Sequence, residues 1–220
     1  MKQTIITILF AIVWVAGQAQ DRLILIDSED MAWMAKHPQM SFYNKEKARL
    51  MIPQNASFGV ECRPSFSTEW VLSYDSAAHA LICNEAQESI WRATYLSLHK
   101  LKHAKRNHSK WVLRKHPKNY EAPDVKTYTL AIDAKQVGML KAIWQNVIGT
   151  AEKKEDLTLD GTTWEFFIGE QRAKARTDGY AVVKLAEQLA EVTKAGDASC
   201  CDSLIYISYQ SWGMLTTKEK

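Results

Sequence analysis

The chain has 220 residues, with 28 lysines and arginines against 25 aspartates and glutamates, a formal net charge of +3. Its 46% hydrophobic and 10% aromatic content excludes disorder over most of the length. Without a leader, the remaining stretch of about 200 residues is enough to bury roughly 70% of the extended-chain surface in one core.

Met1-Lys2-Gln3-Thr4 carries one positive charge, Ile5 to Ala16 is almost wholly apolar, and Gly17-Gln18-Ala19 puts small residues before Gln20. This pattern predicts a secretory signal peptide over residues 1–19, cleaved after Ala19. The apolar run is too short for a spanning helix, which needs about 20 residues. No later segment is long and apolar enough to cross a bilayer, so a soluble protein exported to the periplasm or outside the cell is expected. Four cysteines follow: Cys62, Cys83, Cys200 and Cys201. In an oxidising compartment they invite a disulfide, whereas free buried thiols, packing as small hydrophobes, are the other reading. Neither choice is fixed by spacing.

Residues 20–58 form an N-terminal segment without a clear pattern. Leu23-Ile24-Leu25-Ile26 suits a short buried strand. Ser28 is placed to cap a brief helix through Met31-Ala32-Trp33-Met34-Ala35, which His37-Pro38 should end because the residue before proline avoids the helical region. Residues 39–58 read as irregular. A single domain is expected from 59 to 215, with residues 216–220 as a frayed tail. Val60-Glu61-Cys62-Arg63 alternates as a strand does. Trp70 to Tyr74 and Ala80 to Glu85 read as a hairpin around a polar loop at 75–79, and Ser89 to Tyr95 as a further strand.

Residues 99–118 hold eight lysines and arginines, four histidines and no acid, which leaves the rest of the chain at a net charge near −5. Trp111-Val112-Leu113 within it reads as an edge strand. Tyr128 to Ile132 alternates as a strand with one buried face. Asp133 with Gln136 makes a capping box, and Val137, Leu140, Trp144, Val147, Ile148 and Ala151 form one apolar stripe. Asp160-Gly161 between β-prone runs at 157–159 and 162–168 predicts a hairpin turn. Gln171 to Arg176 supplies another strand. A second helix starts near Asp178, with Val182, Leu185, Ala186, Leu189 and Val192 as its stripe and Gly196 as its stop. The tail from Ser203 to Tyr209 reads as a strand, with a helix pairing Leu204 and Ile205 with Ser208 as the alternative. The fold class is therefore α+β: an antiparallel sheet built from hairpins, with amphipathic helices at about 133–151 and 178–195 packed on one face.

Pro64-Ser65-Phe66, Glu69, Leu72, Tyr74-Asp75, Ile90-Trp91 and Leu159-Asp160-Gly161-Thr162-Thr163-Trp164-Glu165-Phe166 resemble a family of exported bacterial proteins with no assigned function. The likeness spans roughly residues 60 to 195. It implies a shared fold and carries over no catalytic residue.

Enzyme chemistry finds little support in the pattern. His99 and His103 lie four apart, yet Lys100 stands where a zincin needs its glutamate, and the surrounding cations would repel a metal. Gly-x-Ser-x-Gly and Gly-rich phosphate loops are absent. Asp160 and Glu165 as a glycosidase pair are already accounted for by a turn and an alternating strand. No catalytic residue, metal ligand or cofactor is assigned. Lys105, Arg106, Lys110, Arg114 and Lys115 are the candidate ligand-binding residues, for an anionic polymer or acidic protein surface rather than cytosolic nucleic acid. The expectation is a non-enzymatic binding or structural module outside the cytoplasm. The alternatives are a hydrolase whose site converges only in three dimensions, and a polymer binder acting through residues 99–118.

Overall fold

Every long strand of the protein separates its side chains onto two faces, and the pairing register carries that separation across the whole sheet. The structure, a computed structural model, describes residues 23–65, 67–104, 120–153, 161–176 and 179–216. Its strands are β1 (Ile24–Ile26), β2 (Ala56–Arg63), β3 (Trp70–Asp75), β4 (Ala80–Ala86), β5 (Val125–Ala131), β6 (Thr163–Ile168) and β7 (Gln171–Ala175). They form one antiparallel sheet in the order β1-β7-β6-β2-β3-β4-β5. The helices are α1 (Ser28–Lys36), α2 (Pro38–Met51), α3 (Ile90–Ala104), α4 (Ala134–Gly149), α5 (Ala181–Ala195) and α6 (Ala198–Thr216). The α+β class read from the sequence is observed.

The first face of the sheet is apolar. Phe58, Val60, Cys62, Leu72, Leu81, Cys83, Leu130, Trp164, Phe166 and Ala173 join the stripes of α4, α5 and α6 in one core. Asp133 caps α4 and exchanges hydrogen bonds with Gln136, the capping box that the spacing predicts. Trp144 then donates its Nε1–H to the carbonyl of Gly59 at 2.8 Å, fixing α4 to β2. Gly196 closes α5 at φ 68°, where glycine carries no Cβ penalty. Both predicted helices lie on this face.

The opposite face is covered as well, which the sequence does not predict. A second, smaller core of Tyr43, Met51, Val71, Ala86 and Ile90 seats α2 and α3 there. Residues 38–51 are helical rather than irregular. Their inward side contains the buried charges Glu46 and Lys47, so no apolar period shows. Ser89 to Tyr95 is the start of α3 rather than a strand. Its buried side holds Thr94 and Ser97, whose hydroxyls donate to carbonyls one turn earlier. The N-terminus of α3 is capped from outside the helix: Glu69 accepts from the backbone N–H groups of Ile90 and Trp91 at 2.9 and 2.8 Å. A cap supplied from twenty residues upstream leaves no local mark.

Three further expectations need correction or placement. The tail is the helix α6, with Leu204, Ile205 and Ser208 buried on one side. The hairpin partner of β6 is β7, joined by a turn in which Gly169 has φ 55°. Both edges of β6 are paired, to β2 and β7. The cap of α1 is Asp27, not Ser28, and it takes the N–H groups of Glu29 and Asp30. Residues 157–160, the leader and the Trp111-Val112-Leu113 strand lie outside the described residues.

Candidate binding cleft

The register of the second face places polar side chains from separate strands in rows. One row runs Glu61, Glu165, Lys174 and Ile24 across β2, β6, β7 and β1. A second runs Gly59, Phe167, Arg172 and Ile26. At the end of the sheet, Arg63 opposes Thr163, and Arg176, one residue beyond β7, donates from Nη1 to the Thr163 hydroxyl. Two-residue periodicity puts all of these positions on one face, and the pairing register brings them side by side.

Glu61 and Glu165 face each other directly, an unfavourable pairing for two carboxylates. Arg172 relieves it by donating from Nη1 to Glu61 at 2.9 Å and Glu165 at 2.7 Å. Lys47 descends from α2 and pairs with the other oxygen of Glu61. Burial works to raise the Glu61 carboxyl, but Lys47 and Arg172 outweigh it and hold the pKa below its ordinary value. Burial likewise opposes the charge on Lys47, and Glu61 overrides it, so the ammonium is held on more firmly than usual. Tyr43 lies alongside: its ring is 5.4 Å from the Lys47 nitrogen and 5.9 Å from the Arg63 guanidinium.

Beyond this network the face opens into a cleft of about 530 Å³ under α1, within the span of roughly 300–1,000 Å³ typical of small-molecule sites. Arg63, Lys153, Lys174 and Arg176 line it, against the acids Asp30 and Glu165. Ile24, Ile26, Trp33, Met34 and Met40 form its apolar wall. Helix α1 is tied down at its start by an ion pair and closed at its end by a local bond. Lys153 pairs with the cap Asp27 at 2.6 Å, and His37 bonds the Trp33 carbonyl through Nδ1 at 2.8 Å. The Lys153 contact, first among the causes, lowers the Asp27 carboxyl. Arg63 has no carboxylate partner among the described residues.

The residues singled out from the sequence are elsewhere. Lys105, Arg106, Lys110, Arg114 and Lys115 lie outside the described residues, so the cleft is a site that sequence reasoning missed. Its cations come from β2, β7 and the segment after α4, and no window of sequence contains more than two of them. Glu165 is the polar member of an alternating strand, as the sequence predicts, and the register gives it a second role opposite Glu61.

The four cysteines are free, so no disulfide closes the fold. Cys62 and Cys83 lie on the apolar face and Cys201 on α6, where burial pushes each thiol up to about 12. Among the described residues no group of three or more histidine, cysteine or acidic side chains is placed to hold a metal. No helix among the described residues is long and apolar enough to cross a membrane. No protein-family model matches the chain, and neither a curated protein nor a solved structure was found to be similar to it.

Proposed function

We propose that the protein is an exported, non-enzymatic binding module whose ligand is a small anion held in the cleft under α1. The observation that carries this reading is the charge of the cleft lining: four cations against two acids, with Arg63 lacking a carboxylate partner among the described residues. An anion seated beside Arg63 gains charge-assisted hydrogen bonds that the protein does not already satisfy. The chemistry of the lining favours binding over catalysis. Among the described lining residues there is no histidine, cysteine or serine, and the Thr163 hydroxyl is engaged by Arg176. Glu61 is held ionised by two cations and has no proton to give as a general acid. The predicted leader over residues 1–19 supports action outside the cytoplasm.

The test is thermal unfolding and calorimetric titration of the purified protein with sulfate, phosphate, acetate and citrate. A saturable rise in Tm is expected, weakened at least tenfold by Arg63→Ala with no change in the unliganded Tm. No stabilisation by any of these anions would overturn the reading. So would turnover of a glycan, peptide or ester panel that a single polar substitution abolishes.

A further inference from the structure

The cleft has a second property that charge does not explain. Its roof and one side are largely apolar, and none of the described residues covers the outer face of Trp33 and Met31. Trp33 is 56% exposed and Met31 on the same helix 45% exposed. Such side chains on a small helix lose the benefit of burial unless something else covers them. Trp33 is also held in place, because its ring lies against His37 with centroids 4.0 Å apart while its carbonyl receives the His37 bond. A fixed, half-exposed indole beside a cleft is a preorganised surface, and its order is not gained at the moment of binding. Met34 and Met40 complete the wall with unbranched side chains that adapt to an irregular apolar body.

The polar and apolar parts are arranged in order. The Arg63–Thr163–Arg176 row closes the end of the sheet. Ile24 and Ile26 sit on the following rows, toward the β1 edge, with α1 above. A bare inorganic ion would meet the cations and leave the apolar wall wet. We infer, resting on the anion-binding reading above, that the ligand is an anionic amphiphile. Its acidic head group meets Arg63 and Arg176, and its apolar body lies beneath α1 against Trp33, Met34 and Met40. The head is a carboxylate, sulfate or phosphate monoester. The body comes from a free acid or from a single-chain lipid, and the two sources present the same chemistry to the cleft.

The experiment is a calorimetric series on the whole protein, below micellar concentrations, with butyrate, hexanoate, octanoate and decanoate, with decanol as the uncharged control and sulfate as the control without a body. Each methylene that enters the cleft should tighten binding about fourfold, so decanoate, four methylenes longer, is expected to bind roughly 250-fold more tightly than hexanoate until the cleft is filled. Decanol should bind at least tenfold more weakly than decanoate. Trp33→Ala should weaken decanoate and leave sulfate unchanged, whereas Arg63→Ala should weaken both. Trp33 is exposed, so its removal leaves the fold intact. Equal affinity for butyrate and decanoate would overturn the amphiphile and leave the anion site standing. Decanol binding as tightly as decanoate would overturn the head-group assignment. No binding of any charged probe would remove both readings. Comparing decanoate with a single-chain phosphatidic acid, whose head is a phosphate monoester, then separates the sources, the tighter of the two naming the natural one.

Discussion

Glu61 and Glu165 stand opposite each other on neighbouring strands, and a single guanidinium nitrogen of Arg172 bonds both carboxylates. The arrangement is stable only while that cation is present. Arg172→Met is expected to lower stability by about 2–4 kcal/mol, less than a fully enclosed pair because Arg172 keeps some contact with solvent. Urea denaturation measures the loss, and Glu165→Gln in the same background should restore part of it. An unchanged midpoint in Arg172→Met would refute the role.

Lys47 is the more buried partner of Glu61, at 7% and 3% side-chain exposure. Lys47→Met leaves Glu61 with one cation and is expected to cost about 3–5 kcal/mol. The double variant Lys47→Met with Glu61→Leu should recover most of that, since two matched apolar groups replace a dehydrated ion pair. If the double variant is no better than the single, the loss comes from packing rather than charge.

Acid should act through the same carboxylate. The pKa of Glu61 is lower in the folded chain than in the unfolded one, so its stabilisation is complete above the ordinary carboxylate value of about 4.5 and is lost as pH falls through the folded value. Lys47 behaves oppositely: its raised value keeps its contribution complete below about pH 10. Urea midpoints should therefore be flat near neutrality and drop below about pH 4.5. Glu61→Gln, although less stable at pH 7, should show a shallower acid limb; an equal slope would assign the transition to other groups.

The cap of α3 offers a local test. Glu69 is buried and receives two backbone N–H groups. Glu69→Ala should cost about 2 kcal/mol by orphaning both donors, and Glu69→Gln about half that, because its amide oxygen still accepts. Equal losses for the two would show that the carboxylate charge, rather than its hydrogen bonds, secures the helix.

Gly59 has no room for a methyl group. A Cβ there would lie 2.4 Å from the Leu72 carbonyl oxygen and 2.9 Å from the Phe167 ring. The first neighbour is backbone in a paired strand and cannot move away alone. Gly59→Ala is expected to destabilise by about 3 kcal/mol or to abolish soluble expression, with Gly138→Ala, which meets nothing within 4 Å, as the harmless control.

The thiols predict a reactivity pattern. Cys200 is only partly buried, while Cys62, Cys83 and Cys201 are enclosed with thiols pushed up to about 12. In the native protein at pH 8 a thiol reagent should label one site quickly, and all four only after denaturation. A reductant should leave Tm unchanged. A fall in Tm on reduction would mean that a disulfide forms after all.

Some elements were open to reading because their causes are local. The Asp133–Gln136 box, the stripe of α4, the Gly196 stop and the hairpin of β3 and β4 each arise within a few residues. Helices α2 and α3 were hidden for a shared reason. Their inward sides carry Glu46, Lys47, Thr94 and Ser97, polar groups satisfied by partners that the chain brings in from elsewhere. Hydrophobic periodicity cannot mark a side that buries charge.

The amino-acid sequence by itself determined the α+β class, the apolar face of the sheet and two of the three helices that cover it, because side-chain alternation and capping act over one or two turns. Only the tertiary structure decided that the second face is covered, that Glu61 and Glu165 oppose each other, and that Arg63, Lys174 and Arg176 converge on one cleft. Those relationships depend on strand order and register, which join positions more than a hundred residues apart, and no local preference of the chain encodes such a distance.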